Sequence, residues 1–321
     1  MRIIPVLSIV LLTAACAEPP ADGTSALSSA VDGVEVLAVV GAPMALTSDG
    51  AYLYWVDDVD HTLYRMPEDG GELTALALGV RVGSPWAIAV DTTYVYWGDV
   101  DARAIRRVPK VGGASRTLAS GEEQVMAVVV DGSYLFWTAN GQDGGRVRRL
   151  LRAGGTPATV TTGSYLSALA VDAFFVYVAD AHVFAGANQI LRAPRGGGAK
   201  LALSSDEDAL GLAIDGSRVY WKRFWTGDVR RASKWMPGAA TIAPEGGGWG
   251  DLAVDATHVW WSTGPLLHRV AKGGGPGEVV VTLPAWGNSL ALDGGAVYVA
   301  LDQTYVGDDQ FDPGMIVRVT P

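Results

Sequence analysis

The chain has 321 residues, with 34 acidic against 24 basic side chains, a net charge of −10, 41 glycines and one cysteine. An acidic balance of this size disfavours nucleic acid and anionic lipid surfaces as partners, and a single cysteine excludes a disulfide scaffold. Apolar residues make up 49% of the chain, enough for a large core, yet the 3.6-residue periodicity of helical solenoids is absent.

At the N-terminus, Arg2 precedes the apolar run Ile3 to Leu12. The run is too short to span a bilayer as a stable helix, but has the form of a secretion signal. Thr13-Ala14-Ala15-Cys16 then resembles a bacterial lipobox, with Thr13 where leucine is usual, so residues 1–16 read as a lipoprotein signal ending at a lipidated Cys16. Residues 17–33 are rich in Pro, Ala, Ser, Asp and Gly and lack periodicity, as a disordered tether does. Such a tether would hold the following domain about 20 to 25 Å from the membrane. Ala17 after the lipidated cysteine matches outer-membrane sorting, so the expected location is exported and membrane-anchored, facing the periplasm or the surface.

From residue 34 to 321 one unit recurs. A short apolar run ends in an aspartate (Asp49, Asp91, Asp131, Asp172, Asp215, Asp255 and Asp293), and an aromatic-rich strand begins three to five residues later. These landmarks are 38 to 43 residues apart, the spacing of propeller blades. In the best-formed copy, Trp86–Val90 reads as inner strand A, Tyr94–Trp97 as strand B, Ile105–Val108 as strand C and Arg116–Ala119 as outer strand D. Strand B is apolar on both faces, as in a sheet sandwiched between two others. The seventh copy ends at Pro321 without a strand D, while Glu35–Val40 precedes the first strand A without a sheet of its own. Pairing the two predicts an all-β, seven-bladed β-propeller whose N-terminal strand closes the last blade.

Two recurring features read as structural. Glycine pairs such as Gly112-Gly113 fall between strands C and D, where tight turns need positive φ; no helical pattern follows them, as a phosphate loop requires. An arginine recurs in every strand C: Arg65, Arg107, Arg149, Arg192, Arg231, Arg269 and Arg318. A residue present in every blade serves the repeat rather than one site.

A binding site must lie where blades differ, on the face made by the D-to-A and B-to-C loops. There Trp86, Glu123, Tyr165, Asp208, Trp225, Trp249, Trp286 and Asn288 are the candidate ligand-binding residues, with Asp57, Asp58, Asp60, Asp99, Asp101, Asp206, Asp308 and Asp309 among the surrounding carboxylates. Trp86, Trp249 and Trp286 are expected to converge at the channel mouth. Aromatic plates beside carboxylates suit a sugar, a cationic peptide or a hard cation such as calcium; the competing reading is that they plug the channel and keep the surface soluble. No resident cofactor is implied. The four histidines His61, His182, His258 and His268 lie in different blades, without a close-spaced metal pair, and no Gly-x-Ser-x-Gly elbow occurs.

The unit resembles the YWTD repeat of the low-density-lipoprotein receptor propellers, and also the NHL-like blades of bacterial propeller lipoproteins. The resemblance rests on Tyr54-Trp55-Val56-Asp57 and Tyr96-Trp97-Gly98-Asp99, with Tyr177-Val178-Ala179-Asp180 partial. Blades three, five, six and seven carry Ala139, Arg223, Thr263 and Leu301 in place of that aspartate, and the receptor propellers have six blades. The resemblance implies architecture over residues 34 to 321. The functional expectation is therefore a membrane-anchored binding or scaffolding module for a glycan, peptide or protein of the cell envelope. The alternative, by analogy with streptogramin lyases and propeller lactonases, is a metal-assisted enzyme.

Overall fold

Each landmark aspartate sits where an apolar strand must reverse. The Asp91 Oδ1 accepts the amide hydrogens of Thr93 (2.7 Å) and Tyr94 (2.7 Å), an Asx turn that supplies the partners the backbone lacks at the bend. The aromatic run then returns antiparallel, and a glycine pair turns the chain again after strand C. Gly112 and Gly113 have φ of +87° and +127°, in a region that L side chains avoid.

Repeated seven times, this gives seven four-stranded antiparallel sheets, an all-β seven-bladed propeller. The computed structural model describes residues 32–84, 86–181, 188–205, 207–244, 250–307 and 310–321. Blade 1 is built from Pro43–Ser48, Tyr52–Asp57, Thr62–Pro67 and Thr74–Leu78. Blade 2 is built from Ile88–Val90, Tyr94–Asp99, Ala104–Pro109 and Arg116–Ser120. Its first strand is shorter than the sequence suggests, because Trp86 leaves the sheet and bridges Ala127 of blade 3 instead. Blade 7 takes Gly287–Asp293, Ala296–Leu301 and Gly314–Val319 from the end of the chain and Val34–Val40 from its beginning. The register of that pairing runs antiparallel from Val34 opposite Val319 to Val40 opposite Gly314, with a bulge between Val36 and Ala38. The long B-to-C loop of blade 7 contains a hairpin, Thr304–Gly307 with Gln310–Asp312, that the repeat pattern did not reveal.

The core lies between blades. Alternate strand-B side chains point to opposite neighbours: Tyr54 packs with Val95 and Trp97 of blade 2, and Trp55 packs with Ala291 and Ile316 of blade 7. Trp55, Trp97, Trp137, Trp221 and Trp261 are fully buried in this way.

Four residues before each landmark, the inner strands crowd around the central channel, and small residues are required. The seven positions are Ala45, Ala87, Ala127, Ala168, Gly211, Asp251 and Ser289. Asp251 breaks the pattern.

Candidate functional site

The face made by the A-to-B and C-to-D turns is consumed by a staple repeated from blade to blade. At Asp49, Asp91, Asp172 and Asp215 the landmark Oδ2 accepts the hydroxyl of the tyrosine five residues on, as in Tyr96 to Asp91 (2.8 Å), and at five landmarks it also receives a cation from the next blade. Lys110 reaches Asp49, Arg152 reaches Asp91, Arg195 reaches Asp131 (2.5 Å), Lys234 reaches Asp172 (2.8 Å) and Lys272 reaches Asp215 (3.2 Å). The strand-C arginine of the preceding blade donates to the backbone carbonyl of that cationic residue, Arg107 to Arg152 O (2.6 Å) and Arg149 to Arg195 O (2.9 Å). Burial opposes ionisation of Asp91, but the amides of Thr93 and Tyr94, the Tyr96 hydroxyl and Arg152 outweigh it, so its carboxyl lies below the ordinary range. The recurrent arginines thus hold blades together.

On the opposite, loop-bearing face, the carboxylates ending strand B turn inward. Asp57 accepts the amides of Gly41 (2.7 Å) and Ala42 (3.1 Å), and Asp180 those of Ser164 (2.8 Å) and Tyr165 (2.9 Å). Each fastens the loop that enters its own blade, a physical reason for aspartate at the end of the YWTD-like run. Glu207, fully buried, accepts from Trp221 Nε1 (2.9 Å) and Arg230 (2.5 Å).

The candidate residues separate into two groups. Trp86, Tyr165 and Asn288 are half-buried. Trp86 crosses the channel from blade 2 and donates its Nε1 hydrogen to Asp251 Oδ1 of blade 6 (2.5 Å); a Cβ on Gly211 of blade 5 would meet its ring at 3.4 Å. The Tyr165 hydroxyl contacts Met126 Sδ (3.5 Å), and burial pushes this phenol up. Asn288 is half-buried next to Ser289. The second group lies out on the loops. Glu123 pairs with Arg103 (3.0 Å). Asp208 is buried, accepts from Arg223 Nε (2.8 Å) and the Trp225 amide (2.7 Å), and so fixes the turn that carries Phe224 and Trp225. Trp225 is 62% exposed, edge-on to Phe224 at 4.7 Å, and Trp286 is 60% exposed beside the Gly264 turn of blade 6. Trp286 therefore lies over the blade 6 turn while Trp86 fills the channel. Trp249, Cys16, His182, Asp206, Asp308 and Asp309 lie outside the described residues.

Sequence reasoning missed two buried ionisable groups that act on each other electrostatically, Asp251 and Lys222. Asp251 can stand among the small residues because Gly250, with φ +151°, passes so close to blade 6's own strand B that a Cβ would lie 2.1 Å from Ser262 O. Both Asp251 oxygens are engaged: Oδ1 by Trp86 and the Leu252 amide (2.7 Å), Oδ2 by the Leu290 amide (2.9 Å) and the Ser289 hydroxyl (3.4 Å). Burial pushes its carboxyl up against these hydrogen bonds. Lys222 Nζ donates to Ser262 O (2.9 Å), and burial pulls it down to about 8, opposed by the charge of Asp251. The signal was positional. Seven residues after the other landmarks stand Val56, Gly98, Thr138, Ala179, Ser262 and Ala300, none charged. The two groups, with Trp86 over one oxygen, tie blades 5, 6, 7 and 2 together.

The histidines behave as packing groups where described. His268 stacks on Trp261 at 5.1 Å and 6°, and His258 Nδ1 meets Thr257 Oγ1 at 2.8 Å. Among the described residues no group of three or more His, Cys, Asp or Glu is placed to hold a metal ion.

No protein-family profile matches the chain, and no curated protein matches it in sequence. Solved structures do resemble it in fold. A streptogramin B lyase superposes with a TM-score of 0.68 at 13% identity, over 89% of this chain and 97% of that one. The WD40 β-propeller domain of Doa1 gives 0.68 at 13% identity, over 90% and 97%. A chain of a nidogen/laminin complex gives 0.52 at 20% identity, over 60% and 76%. At these identities the likeness is one of fold.

Proposed function

We propose that the chain is an exported, lipid-anchored binding module that presents the loop face of its propeller to a protein or peptide of the cell envelope. Cys16 carries the lipid, and residues 17–33 are the tether. The observation that carries the reading is the pair of exposed indoles, Trp225 and Trp286, on a face whose buried carboxylates are already spent on internal hydrogen bonds. Exposed tryptophans held on fastened turns are the usual anchors of protein interfaces, because they bury large area at little cost in side-chain entropy. The nidogen/laminin complex supports the reading to the extent that its fold can serve a protein–protein assembly.

The test uses full-length protein in bacterial membranes. Cys16→Ala should release it into the soluble fraction, and retention there would overturn the anchor. Cross-linking capture of envelope proteins should fall by more than about tenfold in Trp225→Ala or Trp286→Ala, the loss expected of an anchor residue. Unchanged capture, or capture of glycan alone, would overturn the partner class.

A further inference from the structure

The cation and the arginine-to-carbonyl bond of this staple are both present at five of the seven blade junctions, and the missing cases define a site on the face opposite the loops. The cationic residue always lies three positions after the strand-C arginine: Lys110, Arg152, Arg195, Lys234 and Lys272 follow Arg107, Arg149, Arg192, Arg231 and Arg269. Three positions after Arg318 stands Pro321, and three after Arg65 stands Glu68. Asp255, which the residue at position 321 would meet, therefore has no lysine or arginine within ion-pair distance among the described residues. Asp293 faces Glu68 where a cation would stand, and burial together with that neighbouring charge pushes the Glu68 carboxyl up.

The turn at Asp255 is in place, while Arg269 lies over Trp260, five residues after the landmark, where Arg65, Arg107, Arg149 and Arg192 lie over the ring three residues after theirs. The Asp255 Oδ1 accepts the amides of Thr257 (2.6 Å) and His258 (2.7 Å), and its Oδ2 accepts Trp260 Nε1 (2.6 Å). Burial opposes its ionisation, but these bonds outweigh it and keep the carboxyl below the ordinary range. Beside it opens a cleft of about 280 Å³ between blades 6 and 7, lined by Val254, Trp260, Leu292 and Val297 and by Asp293.

We infer that this cleft is a receptor for a lysine residue presented by a partner polypeptide. The molecule itself supplies the template. In the filled junctions the ammonium meets the landmark carboxylate and lies over the aromatic ring five residues beyond it, Lys110 over Tyr54 (5.6 Å), Lys234 over Tyr177 (4.9 Å) and Lys272 over Tyr220 (6.0 Å). Trp260 occupies that ring position in blade 6, and indole is the strongest of the aromatic cation acceptors. The apolar walls suit the four methylenes of a lysine stem.

A second observation separates a polypeptide from a free amine. In all five filled junctions the cationic residue also offers its backbone carbonyl to a strand-C arginine. The corresponding arginine here, Arg269, lies over Trp260 (5.4 Å) and pairs with the half-exposed Glu278 of its own blade. A lysine within a polypeptide brings the ammonium to Asp255 and a peptide carbonyl that competes with Glu278 for Arg269, which lines the adjoining groove beside Pro321.

The test is a titration of the full-length protein read at the Trp260 indole N–H resonance, assigned with Trp260→Phe. N-acetyl-lysine N-methylamide should shift this signal saturably, and the norleucine analogue should leave it in place. n-Butylammonium, which lacks the carbonyl, should bind several-fold more weakly; equal binding would overturn the polypeptide assignment. Asp255→Asn keeps the Oδ1 acceptor of the turn but loses the acceptor of Trp260 Nε1, so its titration is read against its own free spectrum; it should weaken the lysine probe by about tenfold, the loss of roughly one charge-assisted contact. Pro321→Lys should fill the cleft from within, abolish the shift and raise the melting temperature. Equal responses to the lysine and norleucine probes, or an unaltered titration in both variants, would overturn the assignment. Trp225→Ala leaves this experiment untouched, so its result is independent of the loop-face reading.

Discussion

Lys222 provides a quantitative test of its own burial. Its environment lowers the ammonium from 10.5 to about 8, so holding the buried charge costs about 3 kcal/mol relative to water, at about 1.4 kcal/mol per unit. The folded state releases this proton near pH 8, and the unfolded chain keeps it until the ordinary lysine range. Between those values the unfolded state binds more protons, so stability must rise with pH. The rise amounts to about 2 kcal/mol between about pH 7.5 and about pH 9.5, or roughly 3 to 4 °C in melting temperature for a domain of this size. Other groups titrate in the same interval, so the quantity to measure is the difference between wild type and Lys222→Met by urea or thermal unfolding. The variant should be the more stable protein at the lower pH, and the two curves should converge as pH increases. Parallel curves would mean that Lys222 is solvated or fully compensated by Asp251, and would refute the account of a desolvated charge.

The fold was legible because its determinants recur. The landmark aspartate, the aromatic ring five residues after it and the strand-C arginine recur in every blade, and the glycine pair in most, so seven imperfect copies reinforce one another. The two buried ionisable groups were hidden for the same reason. Lys222 and Asp251 each occur once, and a search for what repeats discards what departs from the repeat. Aligning the seven copies by column, so that Lys222 stands against Val56, Gly98, Thr138, Ala179, Ser262 and Ala300, exposes it without coordinates. The loop-face carboxylates posed a different difficulty. Sequence shows the charge of Asp57 and Asp180 but not the amides they accept, and acidity that suggested ligand capture is spent on fastening loops. Trp86 could be assigned to the loop face from sequence, but its reach to Asp251, 165 residues away, depends on ring closure.

The remaining predictions test packing, staples and closure. Trp97→Ala, which empties a fully buried site, should cost about 3 to 5 kcal/mol, whereas Trp225→Ala should cost less than about 1 kcal/mol; equal losses on chemical denaturation would place Trp225 in the core. Because Asp91 has a lowered pKa, its stabilisation is present above the unfolded value of 3.8 and is lost as pH falls through the folded value. Acid unfolding of Asp91→Asn should therefore be shallower than that of wild type, and identical acid transitions would show the staple to be solvent-screened. Deletion of residues 34–40 tests ring closure. This strand covers the edge of Gly314–Val319 and packs Val34, Leu37 and Val40 against blades 6, 7 and 1. Losing three partly buried aliphatic side chains costs on the order of 3 to 5 kcal/mol, and the exposed strand of Met315 to Val319 becomes a template for a second copy. The truncated protein should melt lower and associate, as read by light scattering. A monomer with unchanged melting temperature would mean that the last blade is held by its three consecutive strands alone, and that pairing of the two chain ends contributes nothing to the ring.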